Sequence, residues 1–558
     1  MTTVCKGFVD VLHGQVHFRY GGRGPVVVML HDSPRSSVVH VPNIEWLGEH
    51  FTVVAPDTPG CGESAPLPQP HPGIEDFAAA LSGTLTALGI ERCAIYAPHG
   101  AAKIALQFAA EHPGRVALAI LDGLPLDAEP VAPQVLEQSL QTFAPAGDGS
   151  HLSREWSRVL DAHRWRPWCD RTTATRLSTP LPNDLELHEY ATDLMTAGAH
   201  WAAAAAAALH WPAAPHVARL RSPTVVMVRE DDQPRASLDR LPEPLPAGCS
   251  IETVPPPLAA WRSRLLDLLR HAKLPRDTWS APRQATDASA HPAQRYVDLV
   301  HGQVRVRLGG GKQGVPLLLL HDVPGSSAAM RSLATAIDGA YPTITPDLPG
   351  LGESHPLPYP SLGSYVTALV EMLEDLDCGT VDVFAEGLGA CFGIALAAHH
   401  PALVRRVALD GLPLVRSRDR ALYARHYCPP LAPDRHGTHL LRIWHRLRDA
   451  EASWPWFDRS AAAIRHCDPD LDAGCLQSSL VDVMKQLPAY GDAARAALQA
   501  AVRDILRGVH QPVLLFDVPG DIRYAGTRRT ARHLADARIV PRPAGLDERL
   551  AILGEFLS

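Results

Sequence analysis

The feature that most constrains this chain is that it repeats itself at domain scale. "VDVLHGQVHFR" from Val9 returns as "VDLVHGQVRVR" from Val297, and "LHDSPRSS" from Leu30 returns as "LHDVPGSS" from Leu320. "APDTPGCGESAPLP" from Ala55 matches "TPDLPGLGESHPLP" from Thr345, and "LDGLPL" stands at both Leu121 and Leu409. Farther on, "PWCDR" from Pro167 matches "PWFDR" from Pro455. The spacing between matched segments is nearly constant and far longer than a solenoid repeat, so the chain is a duplicated domain. Its 558 residues suit two large domains, because single cores stop growing at roughly 250–300 residues. The expected division is 1–272 and 296–558. The polar, Pro- and Ala-rich stretch Lys273–Arg295 reads as the linker between them.

Within each copy, short apolar runs alternate with helical patterns. "VVVML", "FTVVAP", "CAIYA", "VALAILDG" and "TVVMV" end in turn residues, whereas "EDFAAALSGTLTALG" and "KIALQFAAEHPG" carry helical spacing. Continuously apolar strands separated by helices imply a mostly parallel sheet covered on both faces, the α/β class. About a hundred residues rich in Trp, Leu, Ala and His follow the sixth strand in each copy, at 127–218 and 415–508. They are expected to form a helical lid over the carboxyl ends of the strands.

Composition removes several function classes. Fifty-two basic against 60 acidic residues give a net charge of −8, which favours neither nucleic acid nor an anionic membrane. No apolar stretch approaches the length of a membrane span. The ten cysteines show no metal-ligand or disulfide spacing, so reduced thiols, a cytoplasmic setting, and neither metal nor cofactor are expected. "GGGKQG" near 308–314 lacks phosphate-loop spacing and reads as a hairpin turn.

These marks together resemble the α/β-hydrolases, the group that includes epoxide hydrolases, haloalkane dehalogenases and small-ester hydrolases. They are His31-Asp32 and His321-Asp322 after the third strand, "DTPGCGES" and "DLPGLGES" after the fourth, a strand-turn-helix at 95–106, and the lid. The resemblance implies two tandem α/β-hydrolase domains. It also implies a nucleophile on a tight elbow written G-x-S-x-G, an acid after the sixth or seventh strand, and a histidine after the eighth. The first copy instead reads Ala97-Pro98-His99-Gly100-Ala101, and the second places Gly387 at the nucleophile position. Neither copy has the late histidine, so the triad is degenerate in both halves and the Ser-His-acid mechanism is not available.

His99 is then the leading candidate, at the start of a helix whose dipole disfavours a second positive charge there. A neutral imidazole at this point serves as base or nucleophile, with Asp122, at the end of the sixth strand, expected to fix its tautomer. Asp232, after the seventh strand, is the second candidate acid, and His31 either orders its loop or substitutes for the missing imidazole. Asp32, Ser33 and Gly100 are expected around the oxyanion or substrate position, and Trp168, repeated as Trp456, is a candidate pocket residue or a lid-packing one. A carboxylate at Asp32 would oppose an oxyanion unless it turned toward the loop amides.

Two functions follow. One is a cofactor-independent hydrolase or lyase of a small organic substrate, worked by the first copy with the second as scaffold in a built-in pseudo-dimer, open to further homo-oligomerisation. The other is a non-catalytic ligand- or partner-binding module.

Overall fold

The structure, a computed structural model, describes residues 2–126, 132–275, 279–282, 293–310 and 314–558. It divides into two compact units, Met1–Ala144 with Arg154–Gln284, and Pro145–Ser153 with Ala285–Ser558. Most of the expected linker, and residues 311–313 of the expected hairpin turn, lie outside the described residues.

The first unit is built on eight strands: β1 Cys5–Val11, β2 Gly14–Gly22, β3 Val26–Met29, β4 Thr52–Pro56, β5 Cys93–Pro98, β6 Val116–Asp122, β7 Thr224–Arg229 and β8 Cys249–Val254. Their order in the sheet is β1-β2-β4-β3-β5-β6-β7-β8, antiparallel at β1, β2 and β4 and parallel from there on. Side chains alternate across the sheet, so each face has its own core. Val28, Ile95, Ala97, Ala119 and Leu121 pack on one side with the helices Ile74–Ala87 and His99–Glu111. Val27, Tyr96, Leu118, Ile120 and Met227 pack on the other with Trp261 and Leu265 of the helix Leu258–His271. The expected strands all form, because each is an apolar run of five to eight residues bounded by turn residues, the signature of a strand buried on both faces.

The second unit repeats this plan with β9 Ala293–Leu299, β10 Gly302–Gly309, β11 Leu317–Leu320, β12 Thr343–Pro346, β13 Val381–Glu386, β14 Val404–Asp410, β15 Val513–Asp517 and β16 Ala537–Pro541. The order β16-β15-β14-β13-β11-β12-β10-β9 is that of the first sheet. Among the described residues strand β11 pairs with β12 and β13. No helix among the described residues is long and apolar enough to cross a membrane.

The long insertions after β6 and β14 are helical, as expected for lids. Their repeated aromatic residues hold the lids themselves together. Trp168 donates its indole N–H to Ser139 O at 3.1 Å and stacks under Arg158, and Trp456 donates to Tyr427 O at 2.8 Å beside Arg446. Trp168 thus packs the lid, the second of its two expected roles, and is not among the residues that line the cavity described below.

Candidate active site

Strand β5 runs to Pro98, and the next helix begins at His99. To turn between them within one residue, His99 adopts φ +43, one of two non-glycine residues with positive φ among the described residues. A left-handed backbone at a residue with a Cβ costs on the order of 1–3 kcal/mol and persists only where the surroundings enforce it. The second unit makes the same turn with Gly387 at φ +53, at no such cost.

The imidazole of His99, one-third exposed, is set between two carboxylates. Its Nε2 lies 3.0 Å from Asp232 Oδ2, and its Nδ1 lies 3.9 Å from Asp32 Oδ2. Burial favours the neutral form of Asp232, but the hydrogen bond and charge of His99, with Arg166 and Arg229, outweigh it and hold this carboxyl below the ordinary range. An ionised Asp232 accepts, so Nε2 carries the proton it donates, and in the neutral tautomer the lone pair is on Nδ1.

The partner of His99 was expected to be Asp122, and this is corrected. Asp122 Oδ2 accepts from Tyr96 Oη at 2.7 Å and from Trp261 Nε1 at 2.8 Å. Burial raises its pKa, against those two hydrogen bonds. The carboxylate is a clamp between β5, β6 and the helix Leu258–His271.

His31 makes the loop-ordering bonds that were one of its two expected roles. It is almost wholly buried, its Nε2 accepts from the Thr58 amide at 2.9 Å, and its Nδ1 lies 3.3 Å from Asp32 O. Both nitrogens order the loops after β3 and β4, and desolvation lowers its pKa. His31 is also among the residues that line the cavity described below.

Asp32 turns toward its loop, as the sequence allowed, and faces the site as well. Its Oδ1 accepts from the Ser33 amide at 3.0 Å and lies 2.7 Å from where a Cβ on Gly100 would be. Ser33 Oγ donates to Trp201 O at 2.9 Å. Asp32, Ser33 and Gly100 belong to the wall of a cavity of about 350 Å³, with Ile104, Val135, Ala204, Ala208 and Leu209 as its apolar part. Gly100 and Gln233 in that wall directly follow His99 and Asp232. Sequence reasoning missed two further wall residues, Lys103 and Arg166. A lysine in the middle of the alanine-rich helix His99–Glu111 was the available signal for the first.

The second unit closes the corresponding place. Asp322 Oδ1 accepts from the amides of Val323 at 2.8 Å and Leu388 at 2.7 Å, while Oδ2 pairs with Arg523 Nη2 at 2.6 Å. A Cβ added at Gly387 would lie 2.1 Å from the Asp322 carboxyl carbon, so the carboxylate fills the space of an elbow side chain. Asp410 accepts from Tyr524 Oη at 2.5 Å and from Arg542 Nε at 2.7 Å.

The elbow after the fifth strand, acidic residues after the sixth and seventh and a lid over the strand ends define a protein of the α/β-hydrolase class. The family model described as alpha/beta hydrolase fold matches residues 25–234 and 315–427, and the chain belongs to that family. Similar solved structures include E-2-(acetamidomethylene)succinate hydrolase, 21% identical, covering 48% of this chain and 99% of that one with a TM-score of 0.37. Epoxide hydrolase A from Mycobacterium thermoresistibile is 19% identical over 48% of this chain and 98% of its own, with a TM-score of 0.39. A thermophilic esterase from Thermogutta terrifontis is 17% identical over 48% and 97%, with a TM-score of 0.35. No curated protein matches the sequence.

Proposed function

We propose that the first unit is a cofactor-independent enzyme of hydrolase or lyase type acting on a small organic molecule. In this reading His99 is its general base, Asp232 is the residue that positions the imidazole, and the second unit is a pseudo-hydrolase scaffold. The observation that carries the reading is the imidazole held between Asp232 and Asp32 at 3.0 and 3.9 Å, beside a cavity whose wall includes Asp32.

The same geometry favours a base over a nucleophile. An acyl-imidazole route needs an oxyanion near the Ser33 amide, where Asp32 already sits. Two unit charges about 4 Å apart repel by about 4 kcal/mol at an effective dielectric near 20, which opposes that intermediate. Proton abstraction by Nδ1 has the opposite balance. The imidazolium it forms lies between two carboxylates that stabilise the new charge without moving. The reading is therefore removal of a proton from carbon, as in a 1,3-dicarbonyl compound, or activation of water toward an ester, thioester or lactone bound with its carbonyl oxygen turned away from Asp32.

Turnover of such a panel by the full chain tests it. His99→Ala is expected to lose about 10²–10⁴-fold in rate, the usual worth of a general base, with the melting temperature unchanged. Mass spectrometry of stalled reactions should find no acylated His99, and an acyl adduct there would overturn the base assignment. One observation favours the non-catalytic reading: Asp32 and Asp322 take the first loop amide in the same way, and the second unit has no elbow side chain. Silence across the panel, together with ligand-induced stabilisation, would establish that alternative.

A further inference from the structure

The two copies differ together at three places. Aligning "HGAAKI" with "GLGACF" sets His99 against Gly387 and Lys103 against Cys391, and aligning "RPWCDR" with "WPWFDR" sets Arg166 against Trp454. The copy that keeps an imidazole on the elbow thus also carries two cations that the other lacks. Both line the cavity.

The two cations are held differently. Lys103 is almost wholly buried, and its Nζ donates to Ala208 O at 2.7 Å and Trp211 O at 2.9 Å, at the end of the helix Trp201–His210. Those carbonyls fix its charge at the wall. Arg166 is exposed, and none of the described residues hydrogen-bonds or ion-pairs with its guanidinium. Its neighbours are committed elsewhere: Arg229 pairs with Asp231, Arg35 with Asp193, and Arg158 stacks on Trp168 and Trp201. Arg166 is nonetheless near enough to the dyad to help keep Asp232 ionised. A planar fork of donors with no hydrogen-bond or ion-pair partner among the described residues, on the wall of a cavity that also has a large apolar part, suits an anionic group that arrives with a ligand.

We infer that the molecule bound in this cavity is a small carboxylic acid with an apolar body, and that Arg166 is the specificity-determining residue that receives its carboxylate. The inference rests on the reading of His99 as the working group of the same site. Lys103 is fixed by two backbone carbonyls, which leaves Arg166 as the cation on this wall that can meet one carboxylate. A phosphate dianion would overshoot and face both Asp32 and Asp232.

Calorimetric titration of the full chain with hexanoate and phenylacetate, against hexanamide, phenylacetamide and hexyl phosphate, tests this. The acids are expected to bind at least about tenfold more tightly than the amides, the worth of a charge-assisted pair. Arg166→Gln should abolish that preference with no change in melting temperature, and Arg166→Lys should keep part of it. Equal binding of acids and amides, unchanged preference in Arg166→Gln, preference for hexyl phosphate, or no binding of either acid at millimolar concentration would each overturn the inference. Run on His99→Ala, the titration separates the two claims. Acid preference without turnover by the wild type leaves the anion site standing and removes the base chemistry. Turnover that needs His99 but ignores Arg166 does the reverse.

Discussion

The two elbows have nearly the same backbone and opposite contents. In the first unit a strained histidine stands between two carboxylates beside a cavity, while in the second a glycine leaves room for Asp322 to bind both loop amides and Arg523. The difference shows that the fold supplies the turn and the amides, and that side chains alone decide whether the place is a site or a structural knot.

The largest expected effect comes from exchanging the elbow residues. His99→Gly should cost the full 10²–10⁴-fold of a general base, whereas Gly387→His should add no turnover, because its Cβ would collide with the Asp322 carboxylate. Gained activity in Gly387→His would break the comparison. Next is Arg523→Ala, which strands a part-buried carboxylate and should lower the stability of the second unit by about 3 kcal/mol in denaturant unfolding, the low end for a broken buried pair. The two acids of the first unit should separate in kind. Asp122→Ala removes the acceptor of Tyr96 and Trp261 and should cost about 1–3 kcal/mol of stability with the rate nearly unchanged. Asp232→Asn should slow turnover and leave the melting temperature nearly unchanged.

A further effect, on stability alone, is one of pH. Burial and the neighbouring Asp410 push Glu386, the last residue of β13, up to about 7, against the pull of Arg549, Arg523 and Arg542. A carboxyl raised in the folded state holds its proton more tightly there than in the unfolded chain. Its contribution is full below its ordinary value of 4.5 and is lost as pH rises to about 7. Stability of the second unit should fall across that window, and Glu386→Gln should flatten the slope.

The duplication, the strand runs, the lids and the elbow were legible because each is a local pattern or an internal match. The choice between Asp122 and Asp232 was not, because it depends on which face of the sheet a strand's last residue takes. Alternation puts Asp122 on the face of Ile120 and Leu118, with Tyr96 and Trp261, and away from the helix that His99 begins. Knowing which helices cover which face would have settled it from the sequence. Arg166 was hidden for another reason: it lies on an irregular stretch of the lid, and only the fold brings it to the wall that Gly100 and Lys103 share.

The closed elbow of the second unit also has a history written into it. Restoring a side chain at Gly387 would require Asp322 to withdraw, and a withdrawn Asp322 would leave Arg523 without its counter-ion. Reopening this elbow therefore takes at least two coordinated replacements, whereas the elbow of the first unit already carries its side chain.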